Sequence, residues 1–122
     1  VTHDTQTPMM SKVQNGDIAC GKGPVLSYAP AVHNNVLRHI VKTAEERKIA
    51  FQRLAASRAT GTDTDAFAYG AAGVPSALIS LPLRYMHTTV ETVSRQDVED
   101  VIRLIHACVR SLKPGQDLRY FK

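Results

Sequence analysis

The ten residues VPSALISLPL, 74 to 83, constrain this chain more than any other stretch. Ala77, Leu78, Ile79 and Leu81 leave hardly any polar face, so a strand here must be covered on both sides. A strand of that kind belongs to a sheet with helices packed over it. The segment from Ser94 to Leu112 supplies the clearest helix. Val98, Val101, Ile102, Ile105, Cys108, Val109 and Leu112 recur largely at three- and four-residue steps, which predicts a buried apolar stripe with Ile102 and Ile105 among its most buried side chains. Ser94 is placed to cap this helix, Asp97 complements its positive end, and Lys113, Pro114 and Gly115 stop it. Glu99 and Arg103, four apart on the opposite face, are expected to form an exposed ion pair.

Upstream, strand and helix signals alternate. Val1 to His3 reads as the tail of a strand, and PVLSYA (24 to 29) and IAFQRLA (49 to 55) read as two more. Between these last two, Val32, Val36, Leu37, Ile40, Val41 and Ala44 form one apolar helix face, and Asn34 or Asn35 is positioned to cap it. GTDTDAFAYGAAG opens a short helix with Thr62 at its cap, Asp65 at the capping-box position, and Gly70 or Gly73 at its end. The run TQTPMMSKVQNGDIACGKGP mixes Pro, Asn-Gly and Gly-Lys-Gly and reads as a long irregular connection with a short strand at Asp17 to Cys20. The fold class is therefore α/β, with helices covering a mixed sheet in a three-layer arrangement, and the 122 residues form at most one domain.

Composition narrows the function. No apolar run approaches the roughly 20 residues of a membrane span, and the opening VTHDTQTPMM has neither the basic nor the apolar region of a signal peptide. Fifteen basic residues are scattered among 11 acidic ones without a dense cluster, which argues against a nucleic-acid partner. Cys20 and Cys108 lie far apart with no CxxC partner, so neither a disulfide framework nor a cysteine-ligated zinc is expected. GKGP, residues 21 to 24, precedes a strand and not a helix, so it is not a phosphate cradle.

Three clusters can carry chemistry. His87, in RYMHTTVE, stands just past the most buried strand, where α/β folds place their sites, and Thr88, Thr89 and Glu91 offer groups able to orient a ligating imidazole. Gly61, Thr62, Asp63 and Asp65 form the second, although a helix N-terminus alone explains the acids. His3 and Asp4 form the third, but neighbours on a strand face opposite ways and do not easily share one ion. His33, His39 and His106 fall at or in helices, where a structural role suffices.

GTDTDAFAYGAAGVPSALISLPLRYMHTTVETVSRQDVEDVIRLI, with VTHDTQTP, GDIACGKGPVLS and SRATGTD, closely resembles the carboxy-terminal third of the glutamyl and deblocking aminopeptidases, the tetrahedral two-metal exopeptidases. The resemblance covers nearly the whole chain. It implies the carboxy-terminal part of a zinc-exopeptidase-like catalytic domain, residues 1 to 122 being a partial domain whose upstream catalytic half and inserted β domain lie outside it. It makes His87 a metal ligand and places a further aspartate ligand just ahead of Val1. The remaining ligands and the general-base glutamate would lie further upstream. Val1 to Asp4, His3 included, would line the pocket, and Gly61 to Asp63 would flank it; Glu91 is a candidate support for His87 from its position alone, with a solvated loop carboxylate as the alternative. Where relatives tend to read THATDTP, this chain has Asp4 and Gln6, and Asp4 is not promoted to ligand on that account. The resemblance further implies two divalent ions, zinc or cobalt, a peptide substrate, a cytoplasmic location and a homo-oligomer, a dodecamer. The residues by themselves leave two alternatives open: a non-catalytic oligomerisation or interaction module, and another two-metal hydrolase of the same clan, a deacylase or carboxypeptidase.

Overall fold

The computed structural model describes residues 1–70 and 73–120. In chain order the elements are β1 (Thr2–His3), α1 (Lys12–Asn15), β2 (Val25–Tyr28), α2 (Asn34–Glu46), β3 (Gln52–Ala55), α3 (Asp63–Tyr69), β4 (Ile79–Ser80), β5 (Pro82–Arg84), β6 (Thr92–Val93) and α4 (Arg95–Ser111). The architecture is mixed α/β, and its strands divide between two small sheets. In one, β2 is central, with β3 parallel and β4 antiparallel to it. In the other, β5 is central, with β1 parallel and β6 antiparallel. Among the described residues no helix is long and apolar enough to cross a membrane.

VPSALISLPL does not form one strand. Its β4 half pairs with β2 and its β5 half pairs with β1, and the Leu81 carbonyl between them accepts the Thr2 amide at 2.9 Å. Pro82 has no N–H to donate and opens a strand, a position where proline is tolerated. This apolar run thus ties the two sheets together.

The parallel pair β2 and β3 needs a crossover connection, which α2 provides. Leu37, Ile40 and Ala44 of α2 join Leu26, Val32, Ile49, Leu104 and Cys108 in the core, with Val36 and Val41 packed at its margin. The cap of α2 differs from expectation. His33 is the N-cap residue and makes no side-chain cap bond, while the Asn35 amide is drawn away to the carbonyls of Leu118 and Arg119. Thr62 caps α3 and Gly70 ends it, as the sequence predicts.

α4 has the predicted extent but not the predicted face. Leu104, Ala107 and Cys108 are buried, whereas Ile102 is 63% exposed and Ile105 47% exposed. Val109 and Leu112 are exposed too. The inward face also carries Asp97 and Asp100, both buried. Asp97 accepts the backbone amides of Gly21 and Gly23 at 2.7 and 2.8 Å. A buried carboxylate without such partners costs far more than a few exposed methylenes, so it fixes the rotation of the helix. The expected Glu99–Arg103 pair is also replaced: Glu99 meets Arg95 at 2.9 Å and Arg103 meets Asp100 at 2.8 Å.

Leu104→Ala should therefore cost about 2 to 5 kcal/mol, while Ile102→Ala in the same chain should stay within about 0.5 to 1 kcal/mol. Chemical denaturation of the two variants checks this, and equal losses would contradict the assigned face.

Candidate functional site

β5 ends at Arg84 and returns as β6, so residues 85 to 91 form the connection of an antiparallel pair. Tyr85 and His87 adopt positive φ, 54° and 67°. Side chains without glycine's freedom resist that conformation by about 1 to 2 kcal/mol each, so the loop must be held. Thr88 Oγ1 donates to the Tyr85 carbonyl at 2.6 Å and accepts the Val90 amide at 3.2 Å. The Glu91 carboxylate accepts the backbone amide of His87 in a short hydrogen bond. Glu91 thus acts on the backbone that carries His87, where the sequence suggested a bond to the ring. The imidazole itself is exposed, and its nitrogens have no hydrogen-bond partner among the described residues.

The strand beside this one is β1, where His3 is half-buried opposite Leu83 and Asp4 turns the other way into the interior. Asp4 accepts the Gln6 amide at 2.6 Å and the Cys20 amide at 3.0 Å. Burial pushes its carboxyl up, but those two backbone bonds and the charge of Arg84 outweigh it and hold it below the ordinary 3.8. Cys20 lies between carboxylates: burial first, then Asp4 and Asp97, raise its thiol to about 11. It stays protonated at neutral pH, and Sγ donates to the Pro82 carbonyl at 3.3 Å.

The segment around Cys20 is not the expected strand. Its backbone is satisfied by side chains: Thr5 Oγ1 takes the Ile18 amide, the Gln52 amide group takes Ala19 N and donates to the carbonyls of Ala19 and Gly23, and Asp97 takes Gly21 N and Gly23 N. Gly23 has φ 87°, and a Cβ there would lie 2.2 Å from the Ala50 carbonyl oxygen, so only glycine fits. The amides of Gly21 and Gly23 within GKGP instead surround an anion of the chain's own, the Asp97 carboxylate. Sequence reading missed this role of Asp97 and Asp4, whose partners include residues 74, 76 and 16 positions away.

In the second cluster Thr62 Oγ1 accepts the Thr64 amide at 3.3 Å, and Asp65 accepts the amides of Thr60 and Gly61 at 3.0 and 2.9 Å. The Thr60 bond is the main cause of the lowered pKa of Asp65. Asp63 stands exposed in the first turn of α3, and Gly61 turns the chain with φ 69°. The helix histidines have structural surroundings: His33 stacks on Tyr120 with centroids 3.9 Å apart, and His39 Nε2 lies 3.1 Å from the Cys108 carbonyl. Among the described residues no three His, Cys, Asp or Glu come together as a metal cage, so His3, Asp63, His87 and Glu91 do not form one donor set.

Because the pKa of Asp4 is depressed by folding, its stabilisation is present above its ordinary value and fades as pH falls through the lowered one. Asp4→Asn should cost about 1.5 to 3 kcal/mol at pH 7. The gap to the parent chain should shrink below about pH 4. Urea denaturation across pH measures it, and a gap that is constant with pH would contradict the role given to the carboxylate.

The family model of the M42 glutamyl aminopeptidases matches residues 1–104, which include β1, the glycine turn and the His87 loop. The lysyl aminopeptidase of Pyrococcus furiosus is 35% identical over 94 residues, covering 77% of this chain and 27% of the relative. An aminopeptidase from the archaeon Desulfurococcus kamchatkensis superposes with a TM-score of 0.82 at 28% identity, over 93% of this chain and 33% of that one. A dodecameric structure, PhTET1-12s, matches with a TM-score of 0.63 at 25% identity, over 81% of this chain and 30% of its own. The chain thus spans about a third of the length of the proteins it resembles. The ordered motifs, the α/β scaffold and the match through residue 104 lead to one conclusion: this chain belongs to the M42 glutamyl aminopeptidase family.

Proposed function

We propose that this chain is the carboxy-terminal part of the catalytic domain of a two-metal aminopeptidase that removes amino-terminal residues from peptides. The observation that carries this reading is the family match over residues 1–104. The imidazole of His87 is exposed on a backbone braced by Glu91 and Thr88, and its nitrogens carry no hydrogen bond among the described residues, so one of them is free to take an ion. One imidazole fills one coordination position of the four or so such an ion takes. By the family resemblance, the other ligands and the general-base glutamate belong to polypeptide ahead of Val1. Two divalent ions, zinc or cobalt, would acidify a bound water and polarise the scissile carbonyl.

The chain's own residues hold the frame for that chemistry. Glu91 and Thr88 set the backbone at His87. Asp4, through Cys20, holds the strand that would enter the pocket with His3. Gly61, Thr62 and Asp63 would flank the bound peptide, with Asp65 pinning their turn. We place the whole protein in the cytoplasm on the resemblance, and we take it to be a homo-oligomer, as the PhTET1-12s dodecamer is.

His87→Ala in the full-length polypeptide should lower bound metal and remove most turnover while leaving the melting temperature nearly unchanged, because an exposed loop side chain contributes little core. Metal analysis of the purified variant checks this, and full metal content with normal turnover would refute the ligand role. The 122-residue chain alone should not hydrolyse aminoacyl anilides with added zinc or cobalt. Metal-dependent turnover by it would show the catalytic residues to be misplaced.

A further inference from the structure

Arg47 ends α2 without a counter-ion. The acids beside it in sequence are engaged elsewhere, Glu45 with Arg53 and Glu46 with Lys42, each at 3.8 Å. Arg47 instead lines a groove of about 430 Å³ between the end of α2 and one flank of α4, together with Arg103, His106 and Arg110. Ile49 and Ala107, both buried, form its floor. All four basic residues are exposed. Among the described residues their only side-chain partner is Asp100, which takes Arg103 at 2.8 Å; the side chains of Arg47, His106 and Arg110 have no hydrogen bond or ion pair there.

The fold gathers what the sequence disperses. Arg103, His106 and Arg110 follow at steps of three and four on one face of α4, and the end of α2 brings Arg47 to the same groove. Arg47 and Arg110 each stand at the carboxy-terminal end of a helix, where the dipole favours a cation. That explains one cation at each end. It explains neither Arg103 and His106 nor the convergence of all four bases on one groove with a single carboxylate among them. Like charges held together repel, and a bound anion would offset that cost.

We propose that this groove binds an oligophosphate, free or as the phosphate chain of a nucleotide. A guanidinium is a planar fork that meets phosphate through paired hydrogen bonds, and an imidazole adds a further donor. Successive turns of α4 lie about 5.4 Å apart, so its bases crowd into a short span. A phosphate chain, charged at every consecutive unit, matches so compact a set. An extended acidic peptide presents side chains to one face only at every second residue, about 7 Å apart, and meets fewer of the bases. The groove has the volume of a small-molecule site. It is independent of the metal chemistry proposed above, since none of its residues lies on β1 or on the His87 loop.

Calorimetric titration of the full-length polypeptide with tripolyphosphate at physiological ionic strength tests the assignment. Saturable binding is expected, and Arg47→Gln with Arg110→Gln should weaken it at least tenfold. Lys12→Gln with Arg38→Gln removes the same charge elsewhere and should leave the affinity within about twofold. Circular dichroism should show both double variants folded, because all four side chains are exposed. His87→Ala should bind tripolyphosphate as the parent does, which separates the groove from any phosphate held by active-site metal. ATP binding as tightly as tripolyphosphate would make the phosphate chain the whole of the ligand, and tighter binding of ATP would add the nucleoside; either result supports the site. Absent binding, equal weakening by the two double variants, loss in His87→Ala, or tighter binding of a hexaglutamate peptide would each overturn the proposal.

Discussion

The carboxylate of Asp97, enclosed between the amides of Gly21 and Gly23, is the contact on which the rest of this fold depends. A charge with no exposed surface is tolerated only when hydrogen bonds replace its water, and two charge-assisted bonds of 2.7 and 2.8 Å do so here. Its place in the first turn of α4 adds the favourable end of the helix dipole. Three consequences follow from this one contact. The rotation of α4 is set, which turns Leu104 inward and Ile102 outward. The glycine turn is locked in positive φ, a conformation only glycine sustains at residue 23. Cys20, inside that turn, presents its amide to Asp4 and thereby holds the end of β1.

From β1 the constraint passes to the site. β1 pairs with β5, β5 pairs with β6, and the loop between the last two carries His87. The position of the imidazole is thus tied to a buried acid on the last helix through a turn and a short sheet. The split of VPSALISLPL reinforces the tie, because β4 anchors the same run in the β2 sheet one residue before β5 begins. Glu91 and Thr88 then fix the loop locally. The loop that carries His87 is thereby part of a rigid element, which the metal-donor role proposed for it would require.

Much of this was legible in the residues. The apolar periodicity of α2 and α4 and the punctuation by Thr62, Gly70, Ser94 and Pro114 were enough to place α2, α3 and α4, because these signals act within a turn or two of the chain, but the single turn of α1 fell in a run read as irregular and Ser94 makes no side-chain cap bond. The ordered motifs around His87 carried the family. What escaped depends on partners distant in sequence. The apolar residues of α4 span more than one face, so periodicity alone could not choose between them, and the deciding group was an acid whose partners lie 74 and 76 positions away. Asp17 to Cys20 looked like a strand because its residues are apolar enough, yet side chains of Thr5, Gln52 and Asp4 claim its backbone. The missed cap at Asn34 and Asn35 has the same origin, since the Asn35 amide serves the distant carbonyls of Leu118 and Arg119.

Native-state hydrogen exchange at Gly21 and Gly23 tests the central contact most directly. If the Asp97 carboxylate organises the fold, both amides should exchange only through global unfolding, with the same protection as the amides of Leu26 and Leu104 in the core. Exchange at the rate of an open loop, while the core amides remain protected, would show that the turn opens without the fold and would contradict the account.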